Sequence, residues 1–485
     1  MDDPKYTGPK KDFVGFYSCW PTVYSMPHFG NVRASFTADL IRNVLKNIMG
    51  YKTISMTNFT DVWHLRGDSD DGEEKMEKAA KKEWMTARDL AKKYEKIFRD
   101  FFKWMQIDDF DIMPRATEHI AEQIDLVKKL EAKWYTYIIP GDGVYMDTSK
   151  IDDYGKLLWP NYKKHLEGIQ AGERIDLWWK KNITDFALWK FHVGEGKRDM
   201  EWESPRGMWF PGRHAECSAM SSKYLWNQFD IHHGGYDLIP IHHTNEIAQS
   251  ECAFDVHPRV KYRMHHQFVN MNGKKMSKSD GNIVSPYEVL EKWYDYLDIR
   301  YFFFTTHYRS FFDFTRSSMD AAKHARENLI KKMQKIFDPH VKVIMNRDII
   351  LPYEKFKEEI TSKYVWDALE DMMAALMDDF NTPQLMAILN QSLNSVDKME
   401  EVDKKELFVA LYRLEKNLLK VWLFDWIGQE EKKVKIPSKI IQLADQRLQA
   451  KKNKDFVLSD KFRNEIISLW REIKDTKDWY ELVKI

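Results

Sequence analysis

A short apolar run from Phe13 to Cys19 meets a turn containing Pro27, His28 and Gly30, then apolar residues at helical spacing from Asn31 to Met49 and a stop at Gly50. Tyr51 to Thr57 reads as a second strand. Two strands joined by a helix in so short a span pair in parallel, because the crossover returns the chain to the same edge of the sheet. This is the opening of an α/β fold with a doubly wound parallel sheet, in which ligands bind at the carboxyl ends of the strands. The turn from His28 to Gly30 falls at that edge.

A chain of 485 residues exceeds what one core supports and suggests two to four domains. Asp68 to Lys82 is rich in charge, and Met85 to Met105 has the pattern of an amphipathic helix. Residues 114–204 read as an insertion between two halves of the sheet, 1–113 and 205–285. The tryptophans from Trp159 to Lys190 suit a packed insertion core better than a surface for stacking nucleotides. Residues 286–430 turn helical, with amphipathic segments around Ser317 to Phe337, Tyr353 to Asp379, Pro383 to Met399 and Lys404 to Trp422. Residues 431–485 form a small basic unit with 14 Lys/Arg against 9 Asp/Glu. On charge alone a solvated helix pair and a nucleic-acid surface stand level there.

The 75 basic and 75 acidic side chains cancel, so any nucleic-acid partner has to be met by local patches. Cys19, Cys217 and Cys252 are too few and too scattered for a disulfide framework, which points to a reducing compartment and leaves metal binding as the better use for two of them. Met1 to Lys11 has neither an apolar core nor an Arg/Ser-rich amphipathic pattern, and no apolar run nears the ~20 residues that span a bilayer. A cytoplasmic protein without membrane contact is expected.

Three stretches carry chemistry: Pro27-His28-Phe29-Gly30-Asn31, His242-His243-Thr244-Asn245-Glu246 and Lys275-Met276-Ser277-Lys278-Ser279. His28 and Asn31 stand at a helix start, where free backbone N–H groups and the dipole favour an anion such as phosphate. Lys275 and Lys278 bracket a loop just after Gly273, positive charge that can close on a polyphosphate. His242 and Glu246, four apart, share one helix face, as metal ligands do. Taken singly, each has a plainer reading: a structural turn histidine, a solvated loop, a buried polar residue.

Together with Cys19-Trp20-Pro21-Thr22-Val23-Tyr24, Asn58-Phe59-Thr60-Asp61, Pro114-Arg115-Ala116-Thr117, Glu216-Cys217-Ser218-Ala219-Met220, Gly234-Gly235-Tyr236-Asp237-Leu238 and Asp379-Phe380-Asn381-Thr382-Pro383, they make the chain resemble the class I cysteinyl-tRNA synthetases from about Phe13 to about Tyr480. The resemblance implies a Rossmann-like catalytic domain with a connective insertion, a helical bundle and an anticodon-binding unit, the last carried by Ala444 to Arg447 and Lys454 to Arg463. It implies activation of L-cysteine with ATP and Mg2+ to cysteinyl adenylate, then transfer to the 2′-hydroxyl of the terminal adenosine of tRNA(Cys), by a monomer.

The resemblance also implies roles. His28 and Asn31 would neutralise the α-phosphate, Lys275 and Lys278 the departing pyrophosphate, and Gly30, Gly234, Gly235 and Asp237 would bind ATP along with Lys278. Cys19, Cys217, His242 and Glu246 would hold one Zn2+ per chain, which binds the substrate thiol and so selects cysteine over serine. Thr60, His214, Trp20 and Arg213 would shape the cysteine pocket. The family's usual glycine is Trp20 here, its usual tryptophans are Arg213 and Arg263, a glycine is His233, a glutamate is Thr244, and Asn-Gly is His266-Gln267. Val62-Trp63-His64 also replaces the common Ile-Asp-Asp-Lys run after Asp61. The exchange at Trp20 and Arg213 suggests an indole filling the space left at 213, or two side chains on the pocket's rim. Two other readings are a ligase joining cysteine to a small amine and a non-catalytic paralogue that binds tRNA or zinc; the basic terminus argues against the first, and the retention of His28, Asn31 and Lys278 against the second.

Overall fold

The computed structural model describes residues 12–19, 25–62, 83, 85–158, 179–191, 200–205, 207–276, 285–292, 294–336, 353–421, 438–453, 455–468, 471–475 and 480–484. It divides into two compact units, Met1–Leu423 and Phe424–Ile485.

The first unit opens with strand β1 (Val14–Ser18), helix α1 (Phe29–Asn43) and strand β2 (Thr53–Thr57), β1 and β2 pairing in parallel as the spacing requires. One wide turn, Val44–Ile48, extends α1, and Gly50 ends it at φ 73°, a conformation that only glycine adopts without strain. Helix α2 (Ala87–Trp104) is capped by Thr86, whose hydroxyl accepts from the Asp89 N–H. Parallel bridges Met56–Ile112 and Phe59–Arg115 then lay the chain along the outer edge of β2.

Helix α3 (Ile120–Ala132) introduces the insertion, with strands β3 (Thr136–Ile139), β4 (Gly143–Met146), β5 (Phe186–Phe191), β6 (Trp202–Ser204) and β7 (Gly207–Pro211) in one antiparallel sheet ordered β3-β4-β5-β7-β6. This sheet runs to Pro211, past the boundary expected at 204, because the β6–β7 hairpin belongs to it. Trp189 is fully buried in its core, as expected of an insertion core, whereas most of the tryptophan-rich stretch lies outside the described residues.

The chain returns through helix α4 (Arg213–Leu225), strand β8 (Phe229–Gly235), a wide turn Ile239–His243, helix α5 (Thr244–Phe254) and strand β9 (Val260–His266). The central sheet is parallel and ordered β2-β1-β8-β9, so the two halves meet where β1 pairs with β8, as in doubly wound topology. Strands β10 (Val269–Met271), β11 (Lys274–Lys275) and β12 (Phe312–Phe314) make a small sheet of their own, with helices α6 (Pro286–Lys292) and α7 (Tyr296–Phe304) between β11 and β12 in sequence.

The bundle helices are α8 (Arg316–Lys335), α9 (Tyr353–Lys357), α10 (Lys363–Met377), α11 (Thr382–Ser392) and α12 (Glu401–Leu414). A break falls inside the segment expected from Tyr353 to Asp379, between α9 and α10, and α11 starts at Thr382 with Pro383, a residue tolerated in a first helical turn, after left-handed Asp379 and Phe380. Arg300, fully buried on α7, ties the sheet to the bundle by donating to Asp39 on α1 (3.0 Å) and to the carbonyls of Met105 (3.0 Å) and Leu419 (2.6 Å). Burial would raise the Asp39 carboxyl, but Lys420, Arg300 and Arg42 hold it below the usual range.

The second unit has helices α13 (Ser438–Lys452) and α14 (Phe456–Ser468) and a hairpin of β13 (Arg471–Asp475) and β14 (Tyr480–Lys484). The sequence had suggested only the helix pair. The division at 423/424 falls a few residues before the expected boundary at 431.

Candidate active site and metal centre

Register sorts the residues at the carboxyl edge of the sheet onto two faces. Ser18 pairs with His233, Tyr17 with His232, His232 with Arg263 and Gly235 with His266. Side chains alternate along a strand, so Tyr17, His232, Arg263 and His265 share one face while Ser18, His233 and His266 share the other.

On the first face Cys19, just beyond β1, meets Cys217 from α4 and His242 and Glu246 from the start of α5. Cys19 Sγ lies 4.0 Å from Cys217 Sγ, 3.6 Å from His242 Nε2 and 3.5 Å from Glu246 Oε1. His242 Nε2 lies 2.9 Å from Glu246 Oε1, and all four donor atoms fall within 4.8 Å of one another. A tetrahedral zinc with two thiolates, an imidazole and a carboxylate separates its thiolates by about 3.8 Å and thiolate from imidazole by about 3.5 Å, so the donor set fits that ion in chemistry and in size. A second set, Cys19, His232, His243 and Glu246, is equally compact. Both nitrogens of His232 are committed, to the Tyr17 carbonyl (3.2 Å) and Glu246 Oε2 (2.7 Å), and His243 Nδ1 is bonded to His265 Nε2 (2.7 Å). Cys19, Cys217 and His242 line the open cleft, which favours the first set for a metal that an entering molecule must reach.

Partners behind these donors fix their directions. His214 Nδ1 shares a 2.8 Å hydrogen bond with His242 Nδ1, which turns Nε2 toward Cys19 and Glu246. His214 therefore stands behind a candidate metal donor and is not among the residues that line the cleft. Gln249 donates to the His214 carbonyl and to Ser218 Oγ (2.7 Å), Ser250 donates to Ser218 Oγ (2.7 Å), and Arg259 donates to Ser221 Oγ (2.7 Å). The Gln249 and Ser250 bonds clamp α4 to α5, and with them Cys217 to Glu246, while Arg259 ties α4 to the segment before β9. Asn58 accepts from the Tyr17 hydroxyl (2.7 Å) and donates to Thr60 Oγ1 (3.1 Å), and its Oδ1 lies 4.0 Å from Cys217 Sγ. Thr60 and Arg213 line the cleft as expected, and Trp20 lies outside the described residues.

The protons follow from these neighbours. Burial alone would lower the His242 imidazole, but the charges of Glu246 and Cys217 raise it to about 10. Burial would raise Glu246, yet His232 and His242 hold it well below the carboxylate range. A hydrogen bond from Cys19 and the charge of His242 bring Cys217 down to about 7 against the pull of burial, while burial and the neighbouring thiol and carboxylate push Cys19 well up. A divalent ion entering this set displaces protons from Cys19 and His242. Arg263, which the sequence marked only as a departure, brings its Nη1 to 3.9 Å from Glu246 Oε2 and sets a buried positive charge behind the anionic donors.

At the cleft's other wall α1 begins with Phe29, and the His28 N–H donates to Asn31 Oδ1 (3.1 Å), so the Asn31 carbonyl caps the helix while its amide group faces the cleft side. His28, Gly30, Asn31 and Ala34 all line the cleft. A Cβ on Gly30 would sit 3.0 Å from His28 Cε1 and Nδ1, so glycine lets the imidazole fold over the helix start. Gly30→Ala is expected to displace that ring and slow adenylate formation roughly 10-fold or more, with Tm unchanged or raised, since alanine favours a helix. Wild-type kinetics in that variant would show the ring's position to be unimportant.

Gly235 and Asp237 line the cleft, whereas Gly234 makes room for the His243 ring, 2.7 Å from where its Cβ would lie. Lys275 is in β11, its side chain not described, and Met276 reaches the cleft; Lys278 lies outside the described residues.

Residues 7–324 match the family model for tRNA synthetases class I (C) catalytic domain. The chain is 35% identical over 467 residues to a protein of Treponema denticola named cysteine–tRNA ligase, covering 93% of this chain and 92% of that one. It is 38% identical over 471 residues to the Thermococcus kodakarensis protein of the same name, covering 96% and 93%. Among solved structures it is similar in fold to the methionyl-tRNA synthetase of Mycobacterium tuberculosis in complex with methionyl-adenylate, with a TM-score of 0.54, 15% identity, and 85% of this chain and 90% of that chain covered.

Proposed function

The chain belongs to the class I cysteinyl-tRNA synthetase family, and from that premise we propose that its cleft activates L-cysteine with ATP to cysteinyl adenylate and passes the cysteinyl group to the 2′-hydroxyl of the terminal adenosine of tRNA(Cys). The observation that carries the reading is that Cys19, Cys217 and His242, three of the four clustered donors, line the same cleft as the start of α1, with Glu246 buried behind them.

One Zn2+ held by those four residues would supply a soft Lewis-acid site for the substrate thiol, a bond that serine cannot match and that gives discrimination on the order of 10⁴ without editing. Thr60 and Arg213 bound the pocket for the amino acid. ATP arrives with Mg2+, its adenosine along Gly235 and Asp237 and its phosphates against the start of α1. The substrate carboxylate attacks the α-phosphorus and the bond to the β-phosphate oxygen breaks, releasing pyrophosphate. His28, Asn31 and the free N–H groups of the first turn neutralise charge growing on the α-phosphate. Lys275 and Lys278 do the same for the pyrophosphate. The tRNA 2′-hydroxyl then attacks the acyl carbon, AMP leaves, and the hydroxyl proton is lost to solvent.

The enzyme works as a cytoplasmic monomer: one chain supplies every donor and phosphate-binding residue named here, and no described helix is long and apolar enough to cross a membrane. ATP–pyrophosphate exchange with cysteine, serine and a panel of other amino acids, with and without tRNA, tests the reading. Exchange driven by an amino acid other than cysteine would overturn it.

The basic second unit positions the anticodon end of the tRNA. A chain ending at Leu423 should keep cysteine-dependent exchange while tRNA charging falls by orders of magnitude, and charging by the full chain should weaken with salt as phosphate contacts release counterions. Undiminished charging by the shortened chain would remove residues 424–485 from tRNA binding.

A further inference from the structure

His233 on β8 and His266 on β9 are 33 positions apart in sequence, and the fold brings them into contact. His266 Nδ1 shares a 3.1 Å hydrogen bond with His233 Nε2, and their ring centroids are 5.0 Å apart. His233 Nδ1 in turn shares a 3.0 Å bond with Ser18 Oγ. The three side chains thus cross β1, β8 and β9 in one row, on the face opposite the metal donors.

Register explains the geometry. Gly235, two residues beyond His233 on the same face of β8, stands directly opposite His266. With no side chain at Gly235, the His266 imidazole can lean diagonally toward His233; a Cβ there would lie 3.7 Å from His266 Cε1. His266 also forms part of the cleft wall, beside Gly235, Asp237, Gln267 and Phe268. Ser18 and His233 are buried and line no part of the cleft, so of the three only His266 meets what the cleft holds.

The geometry points to His266 as a nucleotide-positioning residue, touching the adenosine half of ATP and aimed by His233 and Ser18. Burial with the charge of Arg33 brings the His266 imidazole down to about 3, so that ring is neutral in working conditions. Its bond to His233, itself bonded to Ser18, lets the row hold His266 in a single orientation. A neutral polar ring against adenosine adds binding without opposing the positive groups that the phosphates need. This assignment rests on the proposed placement of adenosine along Gly235 and Asp237.

The test is a double-mutant cycle of His233→Gly and His266→Asn in the full chain, read by ATP–pyrophosphate exchange and by direct binding of ATP. Each single variant is expected to raise the ATP KM and Kd roughly 10-fold while the cysteine KM and the metal content stay unchanged. In the double variant the penalty should be smaller than the product of the two, because both remove one row of contacts. Asp237→Asn, measured alongside, reports on the adenosine placement alone. Unchanged ATP affinity in His266→Asn with impaired affinity in Asp237→Asn would overturn the role of His266, and unchanged affinity in Asp237→Asn would overturn the placement on which it rests. Multiplicative losses in the double variant would overturn the coupling through His233.

Discussion

Cys217→Ser is expected to strip the protein of metal and to reduce cysteine activation by well over the roughly 10–100-fold that disturbing a ligand's partner costs, because it deletes a ligand outright. Cys217 is the donor whose thiol lies lowest among the three cysteines, at about 7, and it faces the cleft between Cys19 and His242. Serine keeps the volume and the helix, and the Gln249–Ser218 bond that clamps α4 to α5 and the Arg259 bond that ties α4 to the segment before β9 remain. The fold should therefore survive, with an unchanged circular dichroism spectrum. Elemental analysis of protein purified without added metal should find about one zinc per chain in the parent and less than half of that in the variant. Selectivity should also collapse, since the preference of cysteine over serine depends on the sulfur–metal bond. Full zinc occupancy or full cysteine activation in Cys217→Ser would remove this residue from the metal centre.

The β1-α1-β2 opening was legible because its evidence is local: apolar runs, a Pro/His/Gly turn and a glycine stop all lie within one short stretch. His242 and Glu246 were legible as a pair because four residues of helix set their separation, although the pair straddles a wide turn and the first turn of α5. Their convergence with Cys19 and Cys217 came only from resemblance, as it depends on two strand–helix crossovers that no periodicity encodes. The row from Ser18 through His233 to His266 and the approach of Arg263 to Glu246 were invisible for the same reason. Both follow from the register of β8 against β9, and parallel register is fixed by packing over the whole sheet. The β6–β7 hairpin and the terminal β13–β14 hairpin were missed because their strands are only three to five residues long, too short for alternation to stand out. The position of His214 behind His242 was likewise not legible, because resemblance says that a residue belongs to a site without saying which side of a neighbour it occupies.

His28→Ala is expected to lower the rate of adenylate formation by roughly 10²–10³-fold while the KM values for ATP and cysteine change little. The ring lies over the start of α1 in the space that Gly30 leaves, while the backbone N–H of His28 is held by Asn31 Oδ1. Alanine keeps the backbone bond to Asn31 Oδ1, and the N–H groups of the first turn of α1 still bind the ground-state phosphates. What is lost is a group directed at charge that grows on the α-phosphate only as the cysteine carboxylate attacks, which is why the effect belongs in the rate and not in ground-state binding. His28 is not among the clustered donors, so zinc content should equal that of the parent, separating this loss from the one in Cys217→Ser. Single-turnover formation of the adenylate, followed together with equilibrium binding of ATP, distinguishes the two possibilities. A rise in the ATP Kd that accounts for the whole loss would make His28 a binding residue and would assign transition-state stabilisation to the backbone of α1.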